Sequence, residues 1–291
     1  VEHTGISIFL TGKAGTGKTT FLRAIKQHST KRMIVVAPTG VAAINANGVT
    51  IHSFFQLPLS PFVPESMVKP RFEYSKQKRQ IMRTLDLLII DEISMVRADI
   101  LDAIDSILRR FREHNKPFGG VQLLMIGDLQ QLTPIVKPEE EKLLSRYYNT
   151  PYFFDSKALQ STQYVTIELT KVFRQQDEVF INILNHFRNG NVTDNDFEIL
   201  NKRYQANFNP GKNSDYIHLT THNRIADNIN DRQLEQIKEK AYKFCARTEG
   251  QFPENSYPAD YELTLKCGAQ VMFIHNDRSE RYYNGKIGRI T

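Results

Sequence analysis

The chain has 291 residues, 40% hydrophobic and 24% charged, enough apolar material for a substantial core arranged as two domains. Its net charge of +6 suits a polyanionic partner, while Cys245 and Cys267 lack metal-type spacing and argue against a disulfide scaffold. No apolar run reaches membrane-spanning length and no secretory leader is read before the first strand, so no membrane partner is expected. The expected location is the cytoplasm of a prokaryote, or the nucleus or mitochondria of a eukaryote.

The apolar stretch Ile6–Leu10 predicts a strand, and Thr20–Gln27 predicts a helix. Between them lies Gly12-Lys13-Ala14-Gly15-Thr16-Gly17-Lys18-Thr19, which meets the phosphate-binding P-loop pattern at every fixed position. The strand delivers the loop, the glycines permit its tight turn, and the helix aims its first amides at phosphate. Nucleotide binding is therefore expected from Gly12, Ala14, Gly15, Thr16, Gly17, Lys18, Thr19 and Thr20. Lys18 would meet the β- and γ-phosphates of ATP, and Thr19 would ligate Mg²⁺.

A second strand, Met33–Ala37, leads into Pro38-Thr39-Gly40 at a helix start, where a hydroxyl and amides can accept a DNA phosphate. Asn47 to Phe55 then offers a turn and three rings. Phe54 and Phe55 are expected in the core, whereas His52, among polar neighbours, is the better candidate for stacking on an unpaired base. From Gln56 to Arg83 periodicity fades and prolines stand at 58, 61, 64 and 70, which predicts an insertion projecting from the sheet. It carries Lys69, Arg71, Lys76, Lys78, Arg79 and Arg83 against Glu73, interleaved with Phe72 and Tyr74. That is either a solvated face or a surface that presses on duplex DNA.

Leu87–Ile90 predicts a buried strand ending in Asp91-Glu92. In a P-loop site such an aspartate holds the Mg²⁺ shell, and the adjacent glutamate can take a proton from the attacking water. Ile100, Ile104, Ile107, Leu108 and Phe111 then mark one face of an amphipathic helix, with Asp99, Asp102, Arg109, Arg110 and Arg112 on the other side. Strand Val121–Ile126 runs into Gly127-Asp128-Leu129-Gln130-Gln131-Leu132, placing Gln131 or its neighbour at the same sheet edge to sense the γ-phosphate. After strand Tyr164–Leu169, Phe173-Arg174-Gln175 opens the second half. Arg174 is expected where the two domains meet, supplying charge to the transferred phosphoryl group across a cleft.

Helices are predicted at Asp177–Arg188 and Thr193–Tyr204, then strand Tyr216–Thr220 and helix Asn223–Glu239. Thr221, His222 and Asn223 occupy a junction like that at Thr39, with DNA contact and ordinary helix capping as competing roles. Ala269–His275 reads as a strand, and Asn284-Gly285 as a hairpin turn.

Taken together, the P-loop, Ala37 to Ala43, Asp91-Glu92-Ile93-Ser94-Met95, Gly127-Asp128-x-x-Gln131-Leu132 and Phe173-Arg174-Gln175 resemble superfamily-one DNA helicases. The closest likeness is to the Pif-one branch, relatives of the RecD helicases, whose signature segment is similar to Met95–Asn115 and the residues up to Gln122. The resemblance implies an α/β fold: a P-loop RecA-like parallel-sheet domain over 1–171, with residues 56–83 as a small inserted wedge, and a second RecA-like domain over 172–291. That second domain is expected to be incomplete, ending where an SH3-like insertion begins. The family's later motifs and its adenine-reading glutamine segment would then lie outside this chain, and Thr133 stands where the family commonly has proline.

The implied activity is ATP- and Mg²⁺-dependent translocation on single-stranded DNA by a monomer. It would run 5′-to-3′, opening duplex junctions or structured DNA in replication, repair or telomere maintenance. Thr39, His52 and Asn223 would line one groove across both domains. Forks, R-loops and G-quadruplexes stay open as substrates. The rival readings are a P-loop ATPase indifferent to DNA, and a nucleotide- or DNA-binding module without complete turnover.

Overall fold

The computed structural model describes residues 1–63, 74–208, 218–247, 259–274, 277, 281–282 and 286–291. The chain divides into two compact units, Val1–Val192 and Thr193–Thr291.

The first unit is built on a six-stranded sheet of β1 (Ser7–Gly12), β2 (Met33–Ala37), β3 (Val49–Thr50), β4 (Leu87–Ile90), β5 (Gln122–Ile126) and β6 (Tyr164–Leu169). The order is β3-β2-β4-β5-β1-β6, and every pairing is parallel. Parallel strands need crossovers that cover both faces, which is why Leu87-Leu88-Ile89-Ile90 is an unbroken apolar run and wholly buried. Alternation along each strand splits these side chains into two cores. Phe9, Leu88, Ile90, Leu123 and Met125 face Ile100, Leu101, Ile104 and Leu108 of α5 (Ala98–Phe111). Ile8, Leu10, Leu87, Ile89, Leu124 and Ile126 face Leu22 of α1 (Lys18–His28). Each such Leu, Ile or Phe stabilises the fold by about 1.5–3 kcal/mol on burial.

Because all six strands run one way, the chain following β1, β4 and β5 emerges at a single edge. Strand β1 sits inside the sheet, with β5 on one side and β6 on the other. Reversals of this kind open a crevice beyond the strand carboxyl ends.

Shorter helices complete the unit: α2 (Gly40–Asn45), α3 (Ile51–Phe55), α4 (Lys76–Thr84), α6 (Pro138–Leu144), α7 (Lys157–Gln160) and α8 (Glu178–Asn189). Helix α4 corrects the expectation of an aperiodic insertion up to Arg83. Ser75 caps it by accepting from the Lys78 amide, and Met82 is fully buried. Tyr74 is likewise no free ring, since it packs edge-on to Phe111 and its hydroxyl donates to the Phe55 carbonyl at 2.6 Å. Lys76, Lys78, Arg79 and Arg83 lie on α4, while Lys69, Arg71, Phe72 and Glu73 fall outside the described residues.

A second correction concerns α5. Asp99 lies on its polar side yet is buried, because Arg97 grips both carboxylate oxygens at 2.7 and 2.8 Å. A buried carboxylate is tolerated only with such partners.

The division after Val192 lies beyond the 171/172 boundary expected from sequence. Residues 172–192 pack with the first unit because Phe173 and Arg174 bond to Gly15, and Arg188 of α8 reaches Asp128.

In the second unit the described elements are α9 (Asp194–Asn201), α10 (Asn223–Glu235), and two antiparallel pairs. These are β7 (Ala241–Cys245) with β8 (Glu262–Lys266), and β9 (Gln270–Met272) with β10 (Ile287–Arg289). Residues 218–220 are not strand, and Tyr216, His275 and the Asn284-Gly285 turn lie outside the described residues. Among the described residues no helix is long and apolar enough to cross a membrane.

Candidate functional site

At the end of β1, Gly12, Gly15 and Gly17 hold φ of 144°, 79° and 97°, a region that side-chain-bearing residues rarely enter. Space matters as well as torsion. A Cβ on Gly12 would lie 2.4 Å from the Leu169 carbonyl of β6, and one on Gly15 would lie 2.7 Å from Arg174 Cβ. The loop is braced internally by Thr16, whose hydroxyl donates to the Lys13 carbonyl at 2.9 Å. Gly17 stands at the N-cap of α1 without a side-chain cap. The first amides of a helix lack intrahelical acceptors, so they can face an anion.

Lys18 opens α1 and folds over the loop, donating from Nζ to the carbonyls of Gly12 at 2.6 Å and Lys13 at 3.1 Å. Burial pushes its pKa down, against the pull of Asp128, Glu92 and Asp91, while Arg188 adds to the lowering. Three carboxylates from two strand ends therefore act on this one ammonium. Thr19 and Thr20 are exposed in the first turn of α1.

Asp91 follows β4, its amide donating to the Val36 carbonyl at 2.9 Å. Burial, then the charge of Glu92, raises its pKa from 3.8 to about 6. Glu92 itself has φ 51° and ψ 45°, left-handed for a residue with a side chain, a conformation that costs on the order of 1–3 kcal/mol. Next to it, Gly127 leaves room for this turn, since a Cβ there would lie 2.8 Å from Ile93 Cγ2 and 3.1 Å from the Ser94 nitrogen. The segments after β4 and β5 are thus pressed together.

Asp128 is 1% exposed. Its Oδ1 accepts from the Gln130 amide at 3.1 Å, and its Oδ2 accepts from Gln131 Nε2 at 2.9 Å and Arg188 Nη1 at 2.5 Å. Burial alone would raise its pKa, but Arg188, Gln131 and Gln130 outweigh burial and hold the carboxyl below its usual range. Neither Asp128 nor Arg188 was picked out from the sequence as a site residue. Asp128 stood in a motif read for its glutamine; Arg188, separated by 60 positions, carries no local signal.

Arg174 is tied to the P-loop by its backbone: the Phe173 and Arg174 amides donate to the Gly15 carbonyl at 2.8 and 3.3 Å. Arg174 falls within the first unit, with its side chain exposed.

Thr19 and Asp91 supply one hydroxyl and one carboxylate, and among the described residues no cluster of three His, Cys, Asp or Glu could hold a metal. So sparse an oxygen set fits Mg²⁺, which keeps several waters and takes its other ligands from phosphates.

Along the sheet edge from the P-loop, Pro38, Thr39 and Gly40 form the junction between β2 and α2. Thr39 caps α2, accepting from the Ala42 amide at 3.2 Å. A hydroxyl that accepts there still has its proton to donate. His52 is half-buried on α3; burial, then Arg97, lowers its pKa against the opposing pull of Asp99, which favours a neutral ring. Phe54 and Phe55 are core residues, packed edge-to-face at 4.8 Å.

In the second unit Thr221, His222 and Asn223 are exposed. His222 occupies the N-cap of α10 without a side-chain cap, and the Thr221 hydroxyl pairs with His222 Nδ1 at 2.9 Å. Thr221 is therefore not the cap that its counterpart Thr39 is.

Comparison with known proteins is consistent with this geometry. A family model described as PIF1-like helicase matches residues 1–198. The ATP-dependent DNA helicase PIF1 of Candida albicans is 35% identical over 302 residues, covering 98% of this chain and 33% of its own length. A crystal structure of Bacteroides Pif1 bound to ssDNA aligns with TM-score 0.87 at 43% identity, over 98% of this chain and 65% of that one. Bacteroides Pif1 in complex with ADP-AlF3 and ssDNA aligns with TM-score 0.86 at 42% identity, over 99% and 66%. The chain spans about a third of the length of the fungal relative.

Proposed function

We propose that this chain, which belongs to the PIF1-like helicase family, is the ATP-hydrolysing part of a DNA helicase that moves along single-stranded DNA. The observation that carries this reading is the placing of the P-loop after β1, Asp91-Glu92 after β4 and Asp128 after β5 at one edge of the parallel sheet.

Lys18 would exchange its loop carbonyls for the β- and γ-phosphates, where its charge stabilises the transferring group. Glu92, which follows β4 in a left-handed backbone conformation, accepts a proton from the attacking water. Gln131 and Arg174 act on the γ-phosphate from the β5 end and from the P-loop apex. Mg²⁺, held by Thr19 and Asp91 with phosphate oxygens, would supply further charge neutralisation there. For DNA, Pro38, Thr39 and Gly40 offer a phosphate contact and His52 a stacking ring. Thr221, His222 and Asn223 offer a second helix N-terminus.

The proposed substrates are single strands and their junctions with duplex, with G-quadruplexes a further structured target, and movement 5′-to-3′ as a monomer. The compartment would be the bacterial cytoplasm, or the nucleus or mitochondria.

The test is steady-state ATP hydrolysis by the full-length protein with and without oligo-dT, alongside Glu92→Gln. Oligo-dT should stimulate turnover, and Glu92→Gln should keep ATP binding while losing turnover, since an amide cannot take the proton. Hydrolysis indifferent to oligo-dT would reduce the protein to a generic P-loop ATPase. Normal hydrolysis by Glu92→Gln would remove it as the base.

A further inference from the structure

We propose that Asp128 and Arg188 form a strut that sets the orientation of the Gln131 side chain, making both of them positioning residues for ATP turnover. The inference rests on the reading of Gln131 as a γ-phosphate group and adds what aims it.

Gln131 is exposed, and an exposed glutamine is free to sample many rotamers and to turn its amide either way. One contact restrains both. Gln131 Nε2 donates to Asp128 Oδ2 at 2.9 Å. An ionised carboxylate only accepts, so it selects the nitrogen edge of the amide and rejects the oxygen edge. One N–H and the amide oxygen of Gln131 remain for phosphate and water.

That selection holds only while Asp128 is charged and stationary, and burial works against both. A carboxylate exposed by 1% must be compensated by a fixed cation. Lys18 feels its charge, but the direct contact comes from Arg188, whose Nη1 lies 2.5 Å from Asp128 Oδ2 with 20% of its side chain exposed. Both bonds land on the same oxygen, while the Gln130 amide holds the other at 3.1 Å. The carboxylate can therefore neither rotate nor be pulled towards Lys18 without breaking a bond.

Arg188 is in the last turn of α8, and the segment leading into that helix bonds to Gly15 through Phe173 and Arg174. A single stretch of chain thus contacts the P-loop at one end and the support of Gln131 at the other. Displacing α8 would loosen both together.

The experiment is a double-mutant cycle on oligo-dT-stimulated ATP turnover in the full-length protein, using Gln131→Ala, Arg188→Met, Asp128→Asn and Arg188→Lys. Arg188→Met should lower kcat by about tenfold with little change in KM for ATP, the pattern of a contact that matters in the transition state. Asp128→Asn should do the same, because a neutral amide accepts either edge of Gln131. Arg188→Lys should recover part of the loss. In a Gln131→Ala background, Arg188→Met should change kcat by less than about twofold, since its effect passes through the missing side chain.

If Gln131→Ala slows turnover and the second substitution multiplies that loss, the strut is wrong while the reading of Gln131 stands. If Gln131→Ala leaves turnover unchanged, the reading of Gln131 falls and the strut with it. A lowered melting temperature with unchanged kcat in both Arg188→Met and Asp128→Asn would assign the pair to packing alone and overturn the proposal.

Discussion

Two helix N-termini, one in each compact unit, carry the proposed DNA contacts, and they are built differently. At the first, Val35, Val36 and Ala37 are buried in β2, and the Thr39 hydroxyl closes the first turn of α2. At the second, Leu219 is 89% exposed, α10 has no buried residue, and the Thr221 hydroxyl pairs with the His222 ring instead of capping the helix. Similar short sequences, a threonine before a helix, therefore give a side-chain-capped helix start in one place and an uncapped, exposed one in the other. What separates them is packing: a buried strand fixes where its carboxyl end points, and an exposed segment does not.

The largest effect should come from testing how tightly the first unit is set. Gly15 and Gly268 both hold positive φ, of 79° and 84°, but a Cβ on Gly268 meets nothing within 4 Å, whereas one on Gly15 would lie 2.7 Å from Arg174 Cβ. Gly268→Ala should cost the roughly 1–2 kcal/mol of a left-handed alanine. Gly15→Ala should cost more and also depress ATP turnover, by pushing Arg174 off the loop. Urea melts and steady-state kinetics check both, and equal penalties would mean that the loop has room to relax.

For DNA, His52→Ala should weaken oligo-dT binding by about 1–3 kcal/mol if the ring stacks on a base. Affinity should fall with salt at a log–log slope of about −0.7 per phosphate contacted. Equal affinity for blunt duplex and oligo-dT would argue against stacking.

The caps give a smaller and more direct contrast. Thr39→Ala should cost about 0.5–2 kcal/mol of stability, the usual loss for an N-cap. Thr221→Ala should cost almost none, because its hydroxyl caps nothing. Matched thermal melts decide, and comparable losses would erase the distinction between the junctions.

The smallest effect lies at the opposite end of the sheet from the site. Asp86, just before β4, has its pKa lowered from 3.8 to about 2, chiefly by the hydrogen bond from Arg32. A carboxylate depressed in the folded state stabilises it above the unfolded pKa and loses that contribution as pH falls through the folded one. Asp86→Asn should flatten the acid unfolding profile slightly between about 3.8 and 2, and solvent around both partners keeps the change modest. An unaltered profile would show the pair to be fully screened.

Much of this could be read from the sequence. Met33–Ala37 and Leu87–Ile90 coincide with observed strands because an apolar run between turn residues is a local signal, and Tyr164–Leu169 does so through its β-branched and aromatic residues. The P-loop glycines and Asp91-Glu92 were legible for the same reason: their torsions and their place at a strand end depend on near neighbours. Helix α4 was missed because prolines upstream masked a short amphipathic stretch. Strands β7 and β8 were missed because each is five residues long and is defined by its antiparallel pairing with the other.

By itself, then, the sequence determined which groups are on offer: a glycine-rich loop, two carboxylates at a strand end, a lysine and an arginine. Tertiary structure decided which of these meet. The order β3-β2-β4-β5-β1-β6 brings positions 18, 91 and 128 to one edge. The choice of Arg97 for Asp99 and Arg188 for Asp128 came from burial, since a carboxylate withdrawn from water must take whatever cation the packing brings within reach. Such partners are set by where helices land on a sheet, and no short stretch of sequence encodes that.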